Sequence, residues 1–596
     1  MRFDKHKIIL FFIALAVSLI YGSHNFFMPS FLDDKSVYFP VTPSSNWDEA
    51  GFYAQRANAV YNGQWIAGDI NLTEYKNGPS FLPILNPIQL GVLGKISGSI
   101  HMGFVLADFL YPPLIFLLLF FFALEFFASR AAAALFATIF VFSPLFAIYI
   151  PPISLAYAKQ LVEGFFPVFG TPDALYFDRI EYPETTFVFY LAALYFIFRA
   201  LKYKTRRDII LGGLFFGSTF YTYLFDWGYL LVGISILAVL FLCQKKYSEF
   251  KILLYALLIG FIVSVPYWIN LFELKALPQF KDIFYRTGME ISNAFRWGSV
   301  WKSYLRNIIL TALIWMTWRK KDKLSVNFIT AFLLAYFVVV NAQVITGFQA
   351  QPDHWYRIQF IFMALGAAML LFWAYGRFIK NYIPQKLAVS LSGIFLIVFL
   401  LQQIYMQYEF SRRDAQRYAM PKELIASYEW LNKNSPKDSV VGSLSVGTNN
   451  EIMLYTGNKI FVPKGGNSLA SNDEIWDRFI MMSKISGLDA ASFKLLSREN
   501  IGMLLNDYYS ERSLDTHFRS GTRKESDEVP GVIDAKTEEF KKIEIDPANL
   551  PYKLDYLYFG PKEFTIAGTY APENAEYFEL VYDQDGIRIY KLKAKQ

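Results

Sequence analysis

Three short stretches of the chain gather residue types that can move protons, hold phosphate or ligate a cation. The first reads Asn46-Trp47-Asp48-Glu49-Ala50-Gly51-Phe52-Tyr53. Adjacent carboxylates at a helix start can be a cap and nothing more, because Asp is a favoured N-cap and acids suit the first turn. They can also do chemistry: Asp48 can accept the proton of an attacking hydroxyl, with Glu49 orienting it or holding a metal. The second stretch, Gln351-Pro352-Asp353-His354-Trp355-Tyr356-Arg357, brings an imidazole, a phenol and a guanidinium to the mouth of an apolar run. An Arg beside hydrocarbon is costly without a partner, and phosphate is a natural one. The guanidinium fork of Arg357 and one further bond from His354 can grip a lipid phosphate whose tail lies in the bilayer. Tyr356 and the upstream Arg179 are further candidates for that role. The competing reading is a snorkelling Arg357 beside an interfacial Trp355–Tyr356 pair.

The third stretch is Asp178-Arg179-Ile180-Glu181-Tyr182-Pro183-Glu184. Asp178 and Glu181, three apart, can share one face of a helical turn and reach a divalent cation such as Mg or Mn through oxygen, with Asp48 as a third candidate ligand. They can equally cap the helix that follows Pro183, the reading favoured for Glu184. Asp108, Asp226 and His101 stand near the ends of apolar runs and read as boundary residues. His6, His24 and His517 are scattered without metal-ligand spacing, and the lone Cys243 excludes an internal disulfide and a thiolate cluster. The sequon Asn71-Leu72-Thr73 is too common a pattern to use.

What must position these groups is a membrane. Of 596 residues, 54% are hydrophobic, 18% aromatic and only 18% charged, a surface that water cannot solvate at this size. A hydrocarbon core about 30 Å thick needs about 20 helical residues to cross it. Eleven segments qualify or nearly do: 8–22, 104–127, 131–150, 183–200, 209–224, 227–243, 252–271, 303–318, 325–344, 355–376 and 387–406. The first, preceded by Arg2, Lys5 and Lys7, lacks a convincing cleavage site and reads as an uncleaved span. Basic residues cluster in alternate short loops, as in Lys202, Lys204, Arg206 and Arg207, or Arg319, Lys320, Lys321 and Lys323. That pattern accounts for the net charge of +6 without nucleic acid and predicts a cytoplasmic N-terminus with the C-terminus outside.

The expected architecture is thus a polytopic α-helical membrane domain over 1–410 and an extracytoplasmic α/β domain over 411–596. The loop 23–103 is too long for a connector and carries helical pieces, one beginning at Asp48 and another over Phe81–Ile96. In the C-terminal region the pattern predicts helices over Lys422–Leu431 and Ile475–Ser483, strands over Ser439–Leu444 and Gly502–Leu505, and a hairpin turning at Asp583-Gln584-Asp585-Gly586.

An N-terminal span followed by a long outside loop with an early acidic pair, Asp48-Glu49, and Tyr53 soon after resembles the GT-C superfamily of membrane glycosyltransferases, of the protein O-mannosyltransferase and lipid A aminoarabinose transferase type. The stretch from Asn77-Gly78-Pro79 through Pro87 and Gly94 to Gly98 is similar to the loop that precedes the second span of that family. Tyr428 to Val441 resembles the helix-then-strand entrance of its periplasmic domain. Oligosaccharyltransferases would show a Trp-Trp-Asp motif after Val441, where this chain reads Gly442-Ser443-Leu444-Ser445-Val446-Gly447. The resemblance implies a polyprenyl-phosphate sugar donor, an inverting transfer to a glycan, lipid or protein acceptor, and Asp48 as catalytic base, with metal dependence open. No Gly-rich phosphate loop is present to hold a nucleotide. A transporter or flippase of lipid-linked sugars, or a membrane scaffold, are the readings of other classes; the first would call for inverted repeats and broken helices.

Overall fold

The computed structural model describes residues 5–142, 174–298, 300–351, 354–510 and 525–593. Helices stand at all eleven apolar segments. Among the described residues, six are long and apolar enough to cross a membrane: Ile100–Phe127, Thr186–Tyr203, Leu224–Cys243, Tyr247–Lys275, His354–Ile379 and Gln385–Tyr418. A seventh is a pair bent by 44°, Lys7–Gly22 with His24–Phe31. The helices Arg130–Phe142 and Lys323–Val339 are apolar but shorter, and the expected continuation of the former over 143–150 lies outside the described residues, as do Pro352, Asp353 and His517. The segment expected at 209–224 is a helix of 14 residues, Arg206–Thr219, closed by turns before Leu224.

The chain divides into two compact units. The first comprises Met1–Phe31, Phe104–Trp268 and Ser292–Ala415. Its helices pack as membrane helices do, through small residues that let backbones approach. Gly213 and Gly217, one turn apart, face the helix Tyr247–Lys275: a Cβ at Gly213 would lie 2.7 Å from Ile259, and one at Gly217 would lie 2.5 Å from Val263. Elsewhere large apolar side chains stay uncovered, such as Leu254, Leu258, Ile262, Ile394, Ile397 and Leu401, each more than half exposed. Such a surface requires lipid as its solvent. The protein is therefore a multi-pass α-helical membrane protein.

The second unit comprises Leu32–Gly103, Ile269–Ile291 and Gln416–Gln596. Its centre is a five-stranded sheet in the order Lys459–Ile460, Val440–Gly442, Tyr556–Phe559, Ile587–Leu592, Phe578–Gln584. The first two junctions are parallel and the last two antiparallel. The hairpin turns at Asp585-Gly586, whose φ values of 51° and 73° are the left-handed pair that a two-residue turn requires. Helices Lys422–Asn434 and Asn472–Ile485 form where the pattern predicted them. The strand expected over Gly502–Leu505 is instead the end of a helix, Ala490–Leu504. Phe493, Leu496, Ile501 and Leu504 are its buried apolar residues, a helical spacing that a four-residue window hides. They join a core that includes Phe461, Trp476, Phe479 and Leu557.

The part of the first long loop that belongs to this unit is bound to the C-terminal segment by buried amides. It folds as a π-helical turn Glu49–Ala54, a helix Gln55–Tyr61 and a helix Leu85–Ser97. Asn58 Nδ2 donates to the Met453 and Thr456 carbonyls at 2.9 and 2.8 Å, and Gln55 Nε2 donates to Asn450 Oδ1 at 3.0 Å. Lys459 Nζ donates to Gln64 Oε1 and the Ile70 carbonyl. Asn71 is fully buried and its amide donates to the Asn467 carbonyl, so its sequon is not presented in the folded unit.

Candidate functional site

Each unit carries its own gathering of polar side chains. In the second unit the starting point is Asn46. Its side-chain oxygen accepts from the backbone N–H of Asp48 at 3.1 Å and of Glu49 at 3.3 Å, while its amide donates to Glu49 Oε1 at 2.7 Å. This reciprocal pair does the work of a capping box. Glu49 thus has a structural task, whereas the Asp48 side chain makes no capping hydrogen bond and is exposed. The helix start does not account for Asp48.

Beside it lies a residue that the sequence did not single out. Lys464 follows the strand Lys459–Ile460 and is 4% exposed. Its Nζ stands 3.4 Å from the centroid of the Phe52 ring and 5.3 Å from that of Trp47, and it has no hydrogen-bond partner among the described residues. Burial pushes the ammonium down to about 7, with the Asp48 charge pulling in the opposite direction. Gly51 permits this approach, because a Cβ there would lie 2.7 Å from Lys464 Nζ. Asn467 fixes the same turn by donating to the Gly51 carbonyl at 2.9 Å. A carboxylate open to solvent, a buried amine and two aromatic faces therefore meet at the start of a π-helical turn, an irregularity often found at functional sites. The available signal was Pro463-Lys464-Gly465-Gly466, a cation ahead of two residues that allow close backbone approach.

In the first unit, the short helix His354–Ile358 opens the apolar helix Phe360–Ala374. His354 Nδ1 is hydrogen-bonded to the Tyr223 hydroxyl, and its ring lies 4.9 Å from that of Phe225. Tyr223 stacks on Tyr182 at 4.0 Å. Tyr182 in turn is hydrogen-bonded to Tyr176, and the charges of Arg357 and Arg179 both act on Tyr176. Burial pushes the Tyr176 phenol up, and the two arginines pull it back. Arg179, His354 and Arg357 thus gather around Tyr176, Tyr182 and Tyr223. Tyr356 packs on Phe360 at 4.9 Å, edge to face. Asp226, in the first turn of Leu224–Cys243, is 1% exposed, and neither carboxylate oxygen has a hydrogen-bond partner among the described residues.

The third stretch divides its residues. Glu181 is in the left-handed conformation, φ 62°, so Asp178 and Glu181 do not share a helical turn. Asp178 closes a short 3-10 turn, Tyr176–Asp178, and meets two residues that read as scattered or peripheral in the sequence. One ligand atom from each of His24, Asp108 and Asp178 lies within 4.8 Å of the others. His24 Nε2 is 3.6 Å from Asp108 Oδ2, and His24 Nδ1 is 3.7 Å from Asp178 Oδ2. Burial pushes the Asp178 carboxyl up, and His24 pulls it down. Neither Asp48 nor Glu181 belongs to this group, and Glu184, fully buried, acts on Asp108 by charge repulsion.

No protein-family model matches the chain, and no curated protein matches it. Among solved structures, the chain is similar to ArnT from Cupriavidus metallidurans in the apo state, with 11% identity, 96% of this chain and 97% of that chain covered, and a TM-score of 0.46. It is similar to the same protein bound to undecaprenyl phosphate with 12% identity, the same coverage and a TM-score of 0.46. That likeness is one of chain path, and what the site can do is argued from its side chains.

Proposed function

We propose that this protein is an integral-membrane glycosyltransferase of the GT-C type that moves a sugar from a polyprenyl-phosphate donor to an acceptor hydroxyl on the outer face of the membrane, with inversion. The observation that carries the reading is the gathering of Arg179, Arg357 and His354 around Tyr176, Tyr182 and Tyr223 in the unit that holds the membrane-spanning helices. Guanidinium forks and an imidazole donor suit a phosphate, and a lipid phosphate brings with it a tail that lipid-facing helices accommodate.

In this reaction the acceptor oxygen attacks the anomeric carbon while the bond from that carbon to the phosphate oxygen breaks. The proton of the hydroxyl passes to Asp48, and the electron pair leaves with the polyprenyl phosphate. Arg179 and Arg357 stabilise the charge that grows on the departing phosphate, and His354 adds a donor whose ring is held by Tyr223. Glu49 fixes the turn that presents Asp48, and the Lys464 amine stands beside the base.

The test uses the full chain in nanodiscs with undecaprenyl-phosphate sugars labelled in the sugar and envelope lipid, glycan and protein fractions as acceptors. The expected result is label transferred and undecaprenyl phosphate released, lost in Asp48→Asn and in Arg357→Ala. Donor moved across the bilayer without being consumed would assign the protein to the flippases, and full transfer by Asp48→Asn would remove the base.

A further inference from the structure

Asp226 is the strongest piece of chemistry that the transferase reading leaves unused. It stands in the first turn of Leu224–Cys243, at the end of that helix where Tyr223 and Phe225 meet His354. An acid at a helix start ordinarily serves the helix by accepting from backbone N–H groups that have no other partner. This one does not, since it is buried and neither carboxylate oxygen has a hydrogen-bond partner among the described residues. Buried carboxylate oxygens are rarely left in that state. From its place in the gathering we infer that Asp226 is a specificity-determining residue, its oxygens accepting hydrogen bonds from hydroxyl groups of the sugar that the lipid phosphate carries.

The position fits that task. In a sugar phosphate the ring is joined to phosphorus through a single oxygen, so whatever reads the sugar must stand beside whatever holds the phosphate. The charges of Asp226 and Arg357 act on the same two phenols, Tyr176 and Tyr182. Tyr182 is stacked on Tyr223, and the Tyr223 hydroxyl is hydrogen-bonded to His354. The backbone N–H of Asp226 donates to the Tyr223 carbonyl at 3.2 Å. One turn, residues 223–226, thus fixes both the acid and the imidazole assigned to the phosphate.

A second unpartnered group borders the same turn. Trp355 packs edge to face on Phe225 with ring centroids 4.8 Å apart, and it closes on the helix Leu224–Cys243 at Gly228, where a Cβ would come within 2.9 Å of its ring. Trp355 is 8% exposed, and its Nε1 has no acceptor among the described residues. A carboxylate that only accepts and an indole N–H that only donates, neither satisfied by the other, suit a ligand group that does both, and a hydroxyl is such a group. Of the parts of a lipid-linked sugar, the polyprenyl tail has no donor and the phosphate oxygens are acceptors. The hydroxyls of the sugar remain as the partners that Asp226 lacks.

A site built to hydrogen-bond a hydroxyl rejects an analogue without it, because its own buried groups are then left unpaired. Asp226 therefore selects among sugars, whereas Arg179, Arg357 and His354 hold the phosphate common to all of them. The identity of the ligand rests on the transferase reading; the unpartnered carboxylate does not.

The experiment measures binding to the full chain in nanodiscs of undecaprenyl phosphate, of undecaprenyl phosphate carrying glucose, galactose, mannose or arabinose, and of the singly deoxygenated forms of whichever sugar binds most tightly. The expected result is that loss of one hydroxyl weakens binding to the unaltered protein by about 10- to 150-fold, whereas the same loss costs less than about 3-fold in Asp226→Leu. Both proteins should bind undecaprenyl phosphate itself alike. Asp226→Asn, nearly unchanged in shape, should fall between the two and repeats the comparison if the apolar variant fails to fold. Variants that keep the full penalty for the missing hydroxyl overturn the proposal. So do variants that lose undecaprenyl phosphate and its sugar-bearing forms by the same factor, which is the mark of a structural acid, and so does equal binding of every lipid by the unaltered protein. Discrimination that depends on Asp226 without transfer to any acceptor would sustain the site and overturn the transferase reading. Transfer with a sugar preference that the Asp226 variants leave intact would do the reverse.

Discussion

Lys464 is held in the fold at a cost that can be measured. Burial lowers its ammonium from an ordinary 10.5 to about 7. Each tenfold loss of proton affinity corresponds to about 1.4 kcal/mol, so the charged form is disfavoured on folding by about 5 kcal/mol. Between about pH 7 and pH 10.5 the unfolded chain keeps this proton and the folded chain does not, so stability rises with pH across that window. Below it the penalty is present in full. Lys464→Met keeps the apolar stem and removes the charge, and should therefore stabilise the unit by about 4 kcal/mol at pH 7, falling towards zero near pH 10.5. At roughly 2 °C per kcal/mol for a unit of this size, the melting temperature should rise by about 8 °C at neutral pH.

The assay is thermal unfolding of the purified full chain in detergent, at about pH 6.5 and about pH 9.5. A variant that melts at or below the unaltered protein at the lower pH, or a difference that does not shrink at the higher, refutes the account of Lys464 as a desolvated charge. The same variant should lose sugar transfer by about 100-fold or more, because the amine beside Asp48 is gone. Stability gained while activity is lost is the signature of a group retained for function.

Asp48→Asn should melt within about 1 °C of the unaltered protein, because Asn46 and Glu49 make the cap, yet lose transfer by about 100-fold to 10,000-fold in a single-turnover assay. Arg357→Ala should raise the KM for the lipid donor by about 10- to 100-fold, with Arg179→Lys showing a smaller rise, since a lysine loses the bidentate fork. Gly51→Ala should fold normally but push the flexible end of Lys464 aside, because its Cβ would stand 2.7 Å from Nζ, and so reduce transfer without lowering the melting temperature. Arg286→Ala should be the opposite case: this fully buried guanidinium donates to the Ser468 and Ala470 carbonyls and to Asn472 Oδ1, so its loss leaves buried acceptors unsatisfied and costs about 3 kcal/mol in denaturation.

The membrane-spanning character was legible because it is a property of windows of sequence: each apolar run has a helix on it, and the two-residue turn at Asp585-Gly586 announced its hairpin by chemistry alone. Where a reading depended on a shorter window it failed. Gly502–Leu505 is four residues of apolar sequence with no period of its own, and only the preceding Phe493 and Leu496 reveal the helical face. Asp178 and Glu181 have helical spacing, but Glu181 adopts a left-handed backbone that no spacing rule foresees. The loop 23–103 was recognisable as more than a connector, whereas its binding through Gln55, Asn58 and Gln64 to the segment around Asn450 and Lys459 is a matter of single amides whose partners lie hundreds of residues on.

The same distinction separates the groups that the sequence found from those it missed. Arg179, His354 and Arg357 stood out because each is anomalous where it stands, a polar residue at the threshold of an apolar run. His24, Asp108 and Lys464 are ordinary where they stand and become anomalous only in three dimensions, as an imidazole between two carboxylates and as an ammonium enclosed by Phe52 and Trp47. Each gathering shows only when the fold brings together residues from distant points of the chain: His354 meets Tyr223, and His24 meets Asp108 and Asp178. Tyr176, Asp178 and Arg179 supply both gatherings from one turn, the tyrosine and arginine to the first and the acid to the second.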